Sequence, residues 1–354
     1  MSESGFPQVP LEFGMFDWIE STDRPNYEVY EHKLRLAEIA DRGGLWGWHI
    51  AEHTGTPLSI DGAPSVLLSA AIQRTTRLRL GALTWCLPWN DPYRFYNEIC
   101  MLDQMSQGRI ELGVGRGVSP FESAYYGMDN VQRSRDVYRE NFAIFLEACK
   151  SDVLNYEGTF HSYKSLDLFS HPYQKPYPPL WFPSSNREGI EFTAAHGYHT
   201  AHNTGPQSEI RDLFDHYREV WVQHRDDPDR HNAHVPAPKL ATSKHIVVAD
   251  TDAEAEKWCR QAHQEWADHI GWLGRKMGRA GGREGYDARA KAGYVMAGTP
   301  KAVAQQMIDS IRESTANYVM VVVSFGKLPQ DVAAHSLDLF AREVAPAVKV
   351  ALSA

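Results

Sequence analysis

Apolar residues in this chain fall into short continuous runs, and the stretches between them carry apolar positions at helical spacing. Residues 11–16, 45–50, 78–85, 109–115, 179–184, 198–202, 240–249 and 317–325 are the short runs. Runs of this kind are what strands buried on both faces require. Residues 25–42, 64–75, 92–105, 133–150, 186–196, 206–223, 253–272 and 331–352 carry the helical period, and a further helix opens at Thr299-Pro300. Gly43-Gly44 supplies a helix stop, Pro64 suits a first turn, and Thr299 suits an N-cap. Two stretches break the alternation. Residues 152–179 are rich in Tyr, His and Pro and read as a small hairpin followed by an extended loop. Residues 274–298 are rich in Gly, Arg and Lys, have weak periodicity, and are too long for an ordinary connection; they read as a mobile lid or insert after the seventh strand.

About eight strand–helix units favour one closed (β/α)8 TIM barrel, spanning residues 1–354, over a doubly wound sheet. Barrels of this kind exceed the usual single-domain length. Their active sites are built from residues just after each strand. Here those are Phe16, residues 51–54, Thr84-Trp85, residues 115–122, 184–189 and 199–204, and the lid.

Charge and composition then remove several classes of function. The net charge is −9 and no Lys/Arg-rich block occurs, which argues against nucleic acid or an anionic membrane as partner. No apolar run approaches the ~20 residues that span a bilayer. The first ten residues lack a basic-then-apolar export signal. Cys86, Cys100, Cys149 and Cys259 are scattered without paired spacing, as expected of reduced thiols in a cytoplasmic protein.

The candidate chemistry clusters at strand ends. Gly115-Arg116-Gly117 follows the fourth strand: glycines admit a ligand close to the backbone, and a guanidinium forks onto a phosphate. The Gly113-x-Gly115-x-Gly117 run is not a dinucleotide fingerprint, because the full spacing and the acidic partner are missing. Residues 184–189 (Ser-Ser-Asn-Arg-Glu-Gly) open a helix after the fifth strand, where free N–H groups attract anions, although plain N-capping by Ser185 or Asn186 explains them equally well. Arg116 and this segment lie on neighbouring strand ends and can share one phosphate. Glu52-His53 follows the second strand; an ion pair is the plain explanation, and general acid/base work is the sharper one. His196, His199 and His202 do not make a metal site, since residues three apart on a strand face opposite ways and no thiolate or carboxylate completes the set. His199 and His202 instead suit the lining of a cofactor pocket. Trp85, Trp89, Trp181 and Phe182 stand near strand ends, where they suit either core packing or a water-excluding pocket.

The chain resembles the bacterial luciferase-like, flavin-dependent monooxygenase superfamily. Ala51-Glu52-His53, Leu102-Asp103-Gln104-Met105-Ser106-Gln107-Gly108-Arg109, Gly115-Arg116-Gly117 with Gly127, Ala194-Ala195-His196-Gly197 and Gly298-Thr299-Pro300 carry the likeness. The resemblance implies a (β/α)8 barrel with an insertion after the seventh strand and reduced FMN at the C-terminal mouth. It implies that Arg116, Ser185, Asn186 and Gly189 hold the flavin phosphate. It places Gly115 and a non-proline cis peptide at Leu83-Thr84 beside the ring system, and makes His53 the catalytic histidine. The luminous enzymes of the family carry a histidine where Thr54 stands and a reactive cysteine where Gly115 stands, so a non-luminous monooxygenase is expected.

The expected reaction uses reduced FMN and O2, through a C4a-peroxyflavin, to oxygenate a small, largely apolar organic substrate lodged among Trp85, Trp89, Trp181 and His202. No nicotinamide motif is visible, so a separate NAD(P)H:flavin reductase is the expected partner. A homodimer through helices near the second and third strands also follows from the resemblance. The alternatives are a deazaflavin-dependent hydride-transfer oxidoreductase and a non-catalytic flavin-binding barrel. No metal is expected.

Overall fold

A computed structural model describes residues 5–128, 130–203, 205–279 and 284–353. Twelve strands occur among them: β1 (Glu12–Asp17), β2 (Gly47–Ile50), β3 (Arg79–Ala82), β4 (Trp85–Cys86), β5 (Leu112–Gly115), β6 (Val153–Glu157), β7 (Ser162–Asp167), β8 (Leu180–Trp181), β9 (Thr200–Ala201), β10 (Leu240–Val248), β11 (Val295–Gly298) and β12 (Tyr318–Val322). Parallel ladders join β12, β1, β2 and β3 in that order, and join β5 to β8, β9 to β10 and β10 to β12. Two single parallel bridges, Leu80↔Ile110 and Trp181↔His199, connect the remaining neighbours. Every barrel strand therefore has a parallel neighbour on each side, and the ring is complete.

The third barrel strand is not one run, as its apolar pattern predicts, but two. The Leu83–Thr84 peptide is cis and separates β3 from β4, which pairs with β5. Period-two alternation sorts the side chains into two cores. Met15, Trp48, Leu80, Val319 and Val321 face the surrounding helices. Phe16, Ala51, Trp181, Tyr318, Met320 and Val322 face the barrel axis. Inward positions on β3 and β5 must be small: a Cβ on Gly81 would strike the Glu111 carbonyl, and one on Gly113 the Ala82 carbonyl. Two large rings, Trp181 from the neighbouring β8 and Tyr318 from β12 across the ring, fill the interior that this leaves.

The 152–179 excursion contains the antiparallel β6–β7 hairpin. Its tip is held by the buried Glu140 carboxylate, which accepts the Thr159, Phe160 and His161 amides at 2.7–2.8 Å. The 274–298 stretch is not a single structureless insert. The helix Asp252–Lys276 runs into it, a short helix spans Tyr286–Lys291, and β11 lies parallel to the outer end of β10. Residues 280–283, which belong to the expected lid, lie outside the described residues. Among the described residues no helix is long and apolar enough to cross a membrane.

Candidate functional site

At the C-terminal mouth of the barrel, His53 meets a partner that stands 69 residues away in sequence. Its Nδ1 lies 3.0 and 3.1 Å from the two carboxylate oxygens of Glu122. The same carboxylate accepts the Thr54 amide at 2.8 Å. Glu122 is fully buried. It is delivered there by the short helix Pro120–Ala124, whose N-cap, Ser119, accepts the Glu122 amide. A carboxylate oxygen accepts, so in this pair Nδ1 is the donor and Nε2 is the ring nitrogen that remains for a ligand. Glu52, the chain neighbour of His53, is not its ion partner. Its buried carboxyl accepts the Cys86 amide instead. Burial first, then the charges of Asp61 and Glu98, push Glu52 up to about 8 against the pull of the Cys86 amide.

His53 opens onto a cavity of about 1220 Å³. Trp18, Leu58, Val118, Ile270, Met277 and Arg289 share its wall. Arg116 and the 185–189 turn are not part of this wall.

Arg116 stands on the rim one residue beyond β5. It is half-buried, and among the described residues it makes no hydrogen bond or ion pair. Burial depresses its guanidinium, and the nearby Arg135 adds to the effect. The backbone beside it is crowded: a Cβ on Gly115 would strike the Thr84 hydroxyl, and one on Gly117, at φ +83°, would press on Trp89 and Cys86. The Cys86 thiol is buried and held well above its ordinary range, by burial and then by the Glu52 and Glu122 charges. β5 pairs with β8 at Leu112↔Leu180 and Gly113↔Trp181. The residues that follow β8 therefore leave the barrel beside the end of β5 that carries Arg116. The helix Arg187–Ala195 begins just beyond. Asn186 is its N-cap and accepts the Gly189 amide at 2.9 Å, so this side chain serves the helix. Ser185 is exposed, and of the first helical turn the Arg187 and Glu188 amides remain to meet an anion. A half-buried guanidinium, a glycine cradle and a helix N-terminus on adjacent strand ends fit a phosphate group.

The four expected pocket residues scatter. Trp85 turns outward into the layer under the helices, packs edge-on against Phe95 and sets its N–H on Ser65 at 3.3 Å. Trp89 sits on the rim, stacked on Tyr126 at 5.1 Å with its N–H toward Ser123. Trp181 lies deep on the barrel axis, where its N–H donates to Glu111 at 2.6 Å. His49 and His199 pack against its ring. His202 places Nδ1 3.1 Å from the Ser184 carbonyl, bracing the turn rather than facing the cavity. Leu83 faces the barrel axis, and Thr84 is half-buried beside Gly115. Among the described residues no three His, Cys, Asp or Glu side chains are grouped to hold a metal.

Two residues of the mouth escape sequence reasoning. Glu122 carried one faint signal, its place seven residues beyond Gly115 in the segment that follows a barrel strand. Arg135 carried none, since it is one exposed charge on an amphipathic helix.

Residues 11–318 match the family model described as luciferase-like monooxygenase. An uncharacterized protein of Sinorhizobium fredii, y4wF, is 32% identical over 92% of this chain and 94% of its own length. The oxygenase component of the flavin-dependent trigonelline monooxygenase of Acinetobacter baylyi is 25% identical over 70% of this chain and 67% of its own. Among solved structures, the oxygenating constituent of 3,6-diketocamphane monooxygenase from Pseudomonas putida, in complex with FMN, superposes with a TM-score of 0.79. It covers 96% of this chain and 98% of that one at 18% identity, a likeness of fold.

Proposed function

The chain belongs to the luciferase-like monooxygenase family, and on that premise we propose that it uses reduced FMN and O2 to oxygenate a small, largely apolar organic molecule. Reduced FMN supplies the two electrons that activate O2, so that one oxygen atom enters the substrate and the other leaves as water. Arg116 and the open amides of Arg187 and Glu188, at the turn that Ser185, Asn186 and Gly189 form, would hold the phosphate. Leu83, Thr84 and Gly115 form the floor beside the ring system. His53 holds or moves a proton at Nε2, and Glu122 fixes its tautomer and supports the charged form. Trp18, Leu58 and the wall along Asp252–Lys276 keep water away from the reacting atoms. The flavin reaches the site already reduced, from a separate NAD(P)H:flavin reductase; the relative that is itself an oxygenase component supports this arrangement.

The observation that carries the proposal is the half-buried Arg116 guanidinium, which has no protein partner among the described residues and stands beside the open turn of a helix. Arg116→Ala is expected to cost about 1.5–3 kcal/mol of FMN affinity, read by fluorescence titration, because one charge-assisted contact is lost. Unchanged affinity would refute the phosphate site. Reduced FMN that binds without substrate-dependent oxygen consumption would favour hydride transfer or a flavin carrier instead. A homodimer is proposed through the helices Pro64–Arg74 and Pro92–Ser106, which leave Val66, Met101 and Met105 exposed; gel filtration at low concentration tests it.

A further inference from the structure

We propose that the substrate carries a carboxylate and that Arg289, in the wall of the cavity, anchors it. The inference rests on the monooxygenase reading for the reaction that follows, but not for the binding itself. Arg289 lies on the helix Tyr286–Lys291 and is only 7% exposed. Its guanidinium carbon is 5.2 Å from the centre of the Trp266 ring and 5.0 Å from that of Tyr294. Trp266 in turn lies 5.6 Å from Trp18. Trp18 and Tyr294 line the cavity together with Arg289 and His53. A flat organic body with its acidic end at Arg289 would have these two rings to lie against in the cavity that His53 also lines.

Charge on this wall is sorted by depth. Behind Tyr294 the Lys244 amine is fully buried, 4.7 Å from the ring; it donates to the Gln207 oxygen at 2.9 Å, and burial, then the Arg289 charge, push it down to about 7. Gln207 itself lines the cavity. The acids of the same wall, Glu284, Asp309 and Glu313, are all exposed and solvated. Solvated charges are screened, whereas buried ones act through a low dielectric at nearly full strength. Among the described lining residues Arg289 is the buried cation, and an anion suits it. A planar carboxylate matches the guanidinium fork, and the rings suit an aromatic or unsaturated body.

Benzoate and benzamide, alike in shape and different in charge, test this by calorimetry on the flavin-free protein. Benzoate is expected to bind at least about tenfold more tightly than benzamide, the margin a lost charge-assisted fork produces. Arg289→Gln should bring the two affinities together, and Arg289→Lys should keep part of the preference. Circular dichroism shows whether each variant is folded, and the wild-type comparison stands without either. Equal binding of the two probes, no binding of benzoate, or a preference that survives Arg289→Gln would overturn the anchor. So would a preference abolished by Arg116→Ala, since the carboxylate would then sit at the phosphate site. Failure of the flavin reading shows elsewhere, as FMN affinity untouched by Arg116→Ala.

Discussion

Arg109 and Arg116 stand seven residues apart, at opposite ends of β5, and the protein uses the same side chain in opposite ways. At the bottom, every N–H of the Arg109 guanidinium is committed. Nε donates to the Ser106 carbonyl, Nη1 to Thr75 Oγ1 and the Leu78 carbonyl, and Nη2 to the Ile72 and Thr75 carbonyls, at 2.8–3.2 Å. Its motif neighbour Asp103 is fully buried and binds both the amide and the side chain of Gln174. At the top, Arg116 makes no such contact among the described residues. The most recognisable motif in the sequence is therefore a lock that ties the helix Pro92–Ser106 and the 72–78 connection to the foot of the barrel. The less distinctive glycine elbow is the end left open for a ligand. A barrel with stability at its N-terminal face and chemistry at its C-terminal face divides its side chains in this way.

The sharpest way to break that contrast is to remove each arginine and measure stability. Arg109→Ala strips five donors at once and leaves several backbone carbonyls without partners. It is expected to cost about 3–5 kcal/mol in urea unfolding. Arg116→Ala, whose side chain makes no hydrogen bond or ion pair among the described residues, is expected to change stability by less than about 0.5 kcal/mol. Comparable losses from both would end the division between lock and open end.

The second test concerns carboxyls. At the bottom, Glu111 is paired with Arg79 and accepts the Trp181 N–H. At the top, Glu52 is buried with a backbone amide and no cation as its partner, and it is pushed up to about 8. A carboxyl with a raised folded value binds more protons folded than unfolded between about pH 4.5 and 8. Stability should therefore fall as pH rises through that window, by on the order of 2–4 kcal/mol from this group. Asp61, also buried and pushed up to about 8, adds a slope of the same sign. The measurement is therefore the difference between wild type and Glu52→Gln, which should be less dependent on pH. Parallel curves would show that Glu52 titrates normally.

The fold was legible because alternation of buried runs and helical spacing is a local signal repeated along the whole chain. The position of Arg116 was legible for the same reason, since it follows the end of a strand. Side-chain direction was not. Period-two facing depends on register, and the interruption at Leu83–Thr84 sends Trp85 outward although it stands next to the mouth in sequence. The His53–Glu122 pair was hidden because one short helix brings together residues 69 apart. Arg289 was hidden by the weak periodicity of 274–298, and the rings beside it come from the helix Asp252–Lys276 and the loop before β11.

The smallest expected effect refines the contrast further. Glu20, just beyond β1, is buried. It accepts the Gly326 amide at 3.0 Å from the loop after β12, and it accepts from His269 Nδ1 at 2.6 Å. His269 belongs to the helix Asp252–Lys276, whose next residues Ile270 and Gly271 line the cavity. Burial by itself would lower this imidazole, but the hydrogen bond and charge of Glu20, with Glu265 and Asp268, prevail and raise it. A histidine with a raised folded value contributes most below its unfolded value of about 6.5, and the contribution is lost as pH climbs through the folded value. His269→Gln should therefore cost about 1 kcal/mol near pH 6 and only a few tenths near pH 9. A cost that stayed level with pH would mean that shape, not charge, makes the tie. The corresponding tie at the bottom is a guanidinium, which does not titrate in this range, so the cost of Arg109→Ala should stay level over the same span. Proton sensitivity would then belong to the end of the barrel where the cavity wall meets solvent, and the foot would hold regardless of pH.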